Sequence, residues 1–242
     1  MARLFSGTSG FAYPSWKPGF YPQKLPAAKF LSCYSQRLNA VEINYTFRRL
    51  PSAGTLEKWV AETPPDFTFP LKAHMRITHI LRLKPSEFTG VFFQAIDPLR
   101  PARRLGPVLF QLPPAMKSDQ PLLADFLATL PREIRYAFEF RHPSWLADPI
   151  YALLEQHGIA LCLAESDKLV VPEVITSDFV YSRLRKDDYS AEERREVASR
   201  VELILSKGKD VFVFFKHEET PAGALYAQEL LERFPEASGR KA

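Results

Sequence analysis

Residues 108–164 decide how the chain folds. They open on Val108-Leu109-Phe110-Gln111-Leu112, a short run rich in branched and aromatic side chains. After Asp119, residues 121–130 change to helical spacing. Tyr136-Ala137-Phe138-Glu139-Phe140 is a second apolar run. Residues 145–157 are helical again, carry Ile150, Leu153 and Leu154, and close on Gly158 as a C′ residue. Ile159-Ala160-Leu161-Cys162-Leu163-Ala164 is the third run. Runs this short and this apolar suit strands covered on both faces, and such strands alternating with helices make a parallel sheet.

The same alternation extends in both directions. Apolar runs recur at 4–8, 40–44, 67–73, 179–184 and 211–215. Residues 28–38 place Phe30, Leu31, Tyr34 and Leu38 on one helical stripe. Ser52 is positioned to cap a helix over 53–61. Ser190-Ala191-Glu192-Glu193 is a capping box before Val197, Val201, Ile204 and Leu205. Thr220 reads as an N-cap ahead of an N1 proline, Pro221, for a helix over 222–233. Eight strands, nearly all separated by helix-length segments, in a chain of 242 residues predict a single (β/α)8 TIM-type barrel over 1–242. The competing fold is a doubly wound open sheet. It would be favoured by G-x-G-x-x-G after the first strand, and Gly7-Thr8-Ser9-Gly10 is no match.

Composition narrows the class. Hydrophobic residues make up 46% and charged residues 25%, which excludes wholesale disorder and a coiled coil. The net charge of +4 permits an anionic partner without demanding one. Cys33 and Cys162 form no C-x-x-C motif or Cys/His cluster, so a disulfide framework or zinc knuckle is not expected. The N-terminus lacks a basic segment followed by an apolar one, and no apolar run is long enough for a bilayer. A cytoplasmic chain without a membrane partner is expected.

Polar residues inside apolar strands are costly unless paired, so their positions are informative. Glu42 and Asn44 share one strand face, as do Lys72 and His74. Gln111 opposes Phe110. Glu139 and Arg141 share a face in Phe138-Glu139-Phe140-Arg141, and so do Arg183 and Arg185 in Tyr181-Ser182-Arg183-Leu184-Arg185. The last strand runs into Lys216-His217-Glu218-Glu219. All lie towards strand C-termini, where barrel enzymes place their sites.

Several of these segments resemble the YecE-like family, domain of unknown function 72. They are Gly7-Thr8-Ser9-Gly10-Phe11 with Trp16 and Phe20-Tyr21-Pro22, and residues 41–47 followed by Leu50-Pro51-Ser52. Residues 67–73 with Thr78-His79, Leu109-Phe110-Gln111-Leu112-Pro113-Pro114, and Glu139-Phe140-Arg141-His142-Pro143-Ser144-Trp145 complete the set. The resemblance spans about residues 4–234 and implies a TIM-type barrel, with no settled activity attached. The chain departs from the family pattern at Arg183-Leu184-Arg185-Lys186, at Phe215-Lys216-His217-Glu218 and at Glu165.

Four chemistries compete. Glu42 and Glu139, on the second and fifth strands, are candidates for paired-carboxylate acid/base work across the mouth. His74, His142 and His217 with Glu139 or Glu165 are candidates for a divalent metal; no cofactor is otherwise evident. Lys72 is a candidate base or imine-forming amine, with pairing to Glu42 as the simpler account. Lys72, Arg141, Arg183, Arg185 and Lys216 form the strongest pattern, a site for a small anionic, phosphate-bearing ligand. The expected enzyme holds its anion with Arg141, Arg183 and Lys216, moves protons with Glu139 or Glu42, and orients substrate with Gln111 and Asn44. Catalytic candidates are therefore Glu42, Glu139, Lys72 and His142. Ligand-binding candidates are Asn44, His74, Gln111, Arg141, Trp145, Arg183, Arg185, Lys216 and His217. A nucleic-acid-binding protein is the alternative, with Trp16, Tyr21, Phe47 or Trp145 available for stacking and Arg48-Arg49, Arg100, Arg103 and Arg104 extending the basic surface. An internal ion-pair layer that only plugs the barrel is the remaining reading.

Overall fold

The computed structural model describes residues 2–216 and 220–239. The strands among them are β1 (Leu4–Thr8), β2 (Ala40–Val41), β3 (Phe69–Lys72), β4 (Leu105–Gln111), β5 (Tyr136–Glu139), β6 (Ala160–Ala164), β7 (Phe179–Leu184) and β8 (Asp210–Phe215). They run parallel in the order β2-β1-β8-β7-β6-β5-β4-β3. Single bridges from Ala40 to Thr68 and from Ile43 to Leu71 join β2 to β3 and close the ring. The result is a single (β/α)8 TIM-type barrel.

The connecting helices are α1 (Phe30–Arg37), α2 (Ala53–Ala61), α3 (Glu87–Ile96), α4 (Gln120–Ala128), α5 (Asp148–Gln156), α6 (Ala191–Ser206) and α7 (Ala222–Arg233), followed by a short α8 (Pro235–Ser238). Local chemistry sets their ends. Ser52 accepts the Thr55 amide, Asp119 the Leu122 amide, and Ser190 and Glu193 close a reciprocal capping box. Gly158, at φ 64°, lets the chain leave α5 in a left-handed turn.

Four expectations change. The predicted 145–157 helix begins only at Asp148, because residues 143–145 form a separate 3-10 turn capped by His142. The predicted 40–44 strand is reduced to Ala40–Val41, beyond which Ile43 still bridges Leu71 of β3. α7 starts from Pro221 with no side-chain cap, so Thr220 does not play that role. α3 was missed, although Ser86 caps it and Phe88, Phe92 and Ile96 recur at helical spacing. Residues 165–178, between β6 and β7, carry no helix.

Two apolar zones result. The larger lies between the ring and its helices; the smaller fills the lumen. In the lumen, Phe5, Phe179, Tyr181, Phe212 and Phe214 from β1, β7 and β8 reach across to Ala137, Ala160 and Cys162. Phe5 and Phe212 stack at 4.5 Å. Each such ring contributes about 1.5–3 kcal/mol by leaving water. Gly7 is needed where β1 passes α1: a Cβ there would lie 1.9 Å from the Ala40 carbonyl oxygen and 2.7 Å from the Tyr34 hydroxyl. This aromatic floor supports a polar layer at the C-terminal end of the strands.

Candidate functional site

Arg183 stands at the centre of that layer. In the ladder its neighbours are Ala164 on β6 and Phe214 on β8, so a small side chain beside it leaves room for the guanidinium to cross the lumen. Its Nε donates to Glu42 Oε2 at 2.9 Å and its Nη2 to Glu42 Oε1 at 2.7 Å. Its Nη1 donates to Glu139 Oε2. The Tyr181 hydroxyl adds a 2.8 Å bond to Glu42 Oε2. Glu139 Oε1 accepts Gln111 Nε2 at 2.8 Å and Arg141 Nε at 2.9 Å. Gln111 Oε1 in turn accepts Lys72 Nζ at 2.8 Å. Lys72 Nζ also lies 4.1 Å from the Phe47 ring centre. Five strands or strand ends thus meet through one connected network.

The charges within it are strongly biased. Glu42, Glu139 and Arg183 are all buried. Burial alone would raise both carboxyls; Arg183, with Arg185 at Glu42 and Arg141 at Glu139, outweighs it and holds each at about 2. Lys72 moves the other way, down to about 8, first through burial and then through the charge of Arg183. The hydrogen-bonded layer therefore carries four cations (Lys72, Arg141, Arg183 and Arg185) against two carboxylates. Glu165 adjoins it but accepts the Arg185 backbone amide and the Tyr189 hydroxyl, and a positive excess survives its inclusion.

A family model described as protein of unknown function DUF72 matches residues 5–241. The chain belongs to the DUF72 family. A DUF72 family protein of Thermotoga maritima MSB8 superposes on 97% of this chain and 100% of its own, with TM-score 0.83 and 29% identity. One from Enterococcus faecalis V583 shares the fold at TM-score 0.76 and 16% identity, over 97% and 98% of the two chains. The UPF0759 protein YunF of Bacillus subtilis is 32% identical over 138 residues, 54% of this chain and 49% of its own. The UPF0759 protein YecE of Escherichia coli K12 is 34% identical over 116 residues, 47% and 42% of the two. These alignments span about half the length of the curated relatives.

Several nominated residues of this DUF72 barrel lie away from the network. His142 faces its own turn, where Nδ1 contacts Ser144 Oγ at 2.8 Å and accepts the Ser144 amide. Trp145 is fully buried, stacked 4.9 Å from Phe140 and bonded to the Met116 carbonyl. His74 accepts the Arg76 amide and packs on Phe88. Lys216 is exposed on the rim and pairs with Asp187 at 2.9 Å. Asn44 and Arg185 do reach the layer, both through Ser9. Buried Asn44 Oδ1 and Arg185 Nη2 make no hydrogen bond among the described residues, though Arg185 Nη2 lies 3.6 Å from Glu42 Oε1. His217, Glu218 and Glu219 lie outside the described residues.

Three other expectations are corrected. Lys72 bonds to the neutral Gln111 amide and makes no direct pair with Glu42, whose oxygens Arg183 and Tyr181 already occupy. Trp16 and Tyr21 are buried like Trp145, which removes three of the four proposed stacking rings. Arg104 is buried and donates to the Val60, Thr63, Pro64 and Phe67 carbonyls, so it belongs to no surface patch. Among the described residues no group of three or more His, Cys, Asp or Glu could hold a metal ion, and no helix is long and apolar enough to cross a membrane.

Residues overlooked in the sequence complete the mouth. Tyr181 lies in the apolar run 179–184, and its hydroxyl is what reaches Glu42. His79 sits edge-on 5.0 Å from Phe47; burial, then Lys72 and Arg141, lower its pKa. A cavity of about 640 Å³ opens at the opposite end among Arg132, Arg135 and His157. A groove of about 500 Å³ lies where β6 and β7 lack a helix and borders Arg185 and Lys216. The converging charges, rather than cavity size, make the mouth the candidate site, because among the described residues it is there that buried ionised groups from several strands meet.

Proposed function

We propose that this DUF72 barrel is an enzyme taking a small phosphate- or carboxylate-bearing substrate at its C-terminal mouth. The observation that carries the reading is the excess of cations over carboxylates in a layer that is mostly buried. Arg183 is saturated by Glu42 and Glu139, so its role passes from holding the anion to organising the layer. Arg141 takes that role. Its side chain is 47% exposed, and among the described residues only Nε is committed, to Glu139, which leaves both terminal amino groups for a bidentate anion contact. Arg185 adds charge from the β7 side. Glu42 and Glu139 are held too acidic to carry protons near neutral pH, and Lys72 is the group in the layer that titrates closest to that range.

Calorimetric titration with inorganic phosphate and with small phosphorylated and carboxylated metabolites, at two salt levels, tests this. One small anion should bind at both salts. Arg141→Ala should weaken it by about tenfold or more while leaving the melting temperature near that of the parent. Binding confined to oligonucleotides and lost at high salt would transfer the site to the nucleic-acid alternative.

A further inference from the structure

Holding an anion does not explain Lys72. A guanidinium is already available at Arg141, and a lysine used only for charge has no need to be partly buried. Three features of its setting converge. Its amine has one hydrogen-bond acceptor among the described residues, the uncharged Oε1 of Gln111 at 2.8 Å. Both nearby carboxylates are claimed on each oxygen, Glu42 by Arg183 and Tyr181, Glu139 by Gln111, Arg141 and Arg183. The Phe47 ring covers one side of the amine, its centre 4.1 Å away. The amine is thus held in place with no carboxylate at hydrogen-bond distance, while burial and the charge of Arg183 disfavour its protonated form. A relay of two side chains, Gln111 and Glu139, links it to the half-exposed guanidinium of Arg141.

We infer that Lys72 is a covalent catalytic residue, condensing with the aldehyde or ketone carbonyl of a small anionic substrate whose charge rests on Arg141. The placement of the substrate rests on the anion reading above; the reactivity of the amine does not. The neutral Nζ attacks the carbonyl carbon, forming a C–N bond while the C=O π pair moves to oxygen. That oxygen takes up the proton released by nitrogen, giving a carbinolamine. Uptake of one more proton from solvent and loss of water leave the protonated imine, so amine, carbonyl and proton become iminium and water. No oxidant or reductant is needed. The iminium carries the same charge as the ammonium it replaces, so the surrounding layer keeps its balance. An amine that titrates at about 8 instead of 10.5 is neutral roughly three hundred times more often at neutral pH than an ordinary lysine.

Reductive trapping tests the inference on the full chain. The protein is incubated near neutral pH with sodium cyanoborohydride and one of three carbonyl probes: glyoxylate, glycolaldehyde phosphate or the neutral propanal. Intact mass and peptide mapping then locate the adduct. The expected result is labelling of Lys72 at least about tenfold faster than any other lysine. It should disappear in Lys72→Arg, whose melting temperature serves as the folding control. If inorganic phosphate slows the labelling, and either anionic probe outpaces propanal, the imine and the anion site both stand; the faster of the two names the anionic group. Fast Lys72 labelling that ignores phosphate and probe charge supports the imine and overturns the anion reading. Labelling spread over the lysines according to exposure, or absent from Lys72, overturns the inference whether or not phosphate binds.

Discussion

Arg183→Met is the most incisive perturbation of the layer. Methionine keeps much of the apolar length of the side chain and removes only the charge and its donors. Glu42 and Glu139 would lose their shared guanidinium while staying buried. Each is held at about 2 against an ordinary 4.5, which corresponds to about 3 kcal/mol of linkage apiece. The full sum is not reached, because a stranded carboxylate takes up a proton and Arg141 and Arg185 remain. Breaking a buried pair costs about 3–5 kcal/mol, and that is the loss expected near neutral pH. Domains hold about 5–15 kcal/mol in total, so the variant should fold but melt early. The sign of its pH dependence is diagnostic. In the parent both carboxyls are depressed, so their contribution is full above about pH 4.5 and fades as pH falls towards 2. In the variant burial dominates and raises both, so folding takes up protons and stability climbs as pH falls towards 4.5. Urea unfolding of both proteins between about pH 4.5 and neutral should show the gap closing as the solution becomes acidic. A gap under about 1 kcal/mol, or one independent of pH, would refute the claim that Arg183 neutralises two buried carboxylates.

Two further outcomes follow from other buried cations. Lys72→Met should stabilise the protein by about 1–2 kcal/mol near neutral pH, the relief of burying an ammonium less the loss of its bond to Gln111. Because the folded pKa is lowered from 10.5 to about 8, the parent recovers as pH rises through that window, and equal stabilities at neutral pH would contradict the assignment. Arg104→Met should cost about 3 kcal/mol, a fall in melting temperature of roughly 6–12 °C, since four carbonyls between α2 and β3 lose a common donor. Arg104→Lys should recover only part of this, because a point charge cannot fork to four acceptors; full recovery in a thermal melt would show that charge alone matters.

How much of this was legible depends on where each residue sits relative to the ladder. Within a strand the pleat fixes direction, so alternation placed Lys72, Gln111, Glu139 and Arg183 on the lumen side from sequence alone. Past the last ladder pair that rule lapses. His142 sits three residues beyond β5, turns back, and caps the next turn. His74, two beyond β3, is held by the Arg76 amide. Trp145 and Tyr181 show the reverse failure. An aromatic residue advertises burial or stacking equally, and only the fold decides which; Trp145 entered the core, while the Tyr181 ring joined the lumen and its hydroxyl joined the site. Arg104 was illegible because an arginine in a turn normally signals solvent, and its four carbonyl partners lie about 40 residues earlier, in the single stretch 60–67.

The buried layer also bears on whether the barrel mouth is merely plugged. Ions buried only for stability are a poor choice, since apolar side chains of similar volume commonly do as well or better. If a plug were nonetheless ionic, its lowest-energy form would be neutral, and Glu42–Arg183–Glu139 with one further cation would suffice. The chain adds a second and a third cation, Arg185 and Lys72, beyond that need. Both pay in lowered pKa, through burial first and through Arg183 next. Glu42 and Glu139 offset this only in part, so an arriving anion would stabilise both charges further. The strain is concentrated at the strand ends that open to solvent, whereas the lumen beneath is uncharged and aromatic. That separation places the cost where a ligand could relieve it, and so supports the proposed anion site over a plug.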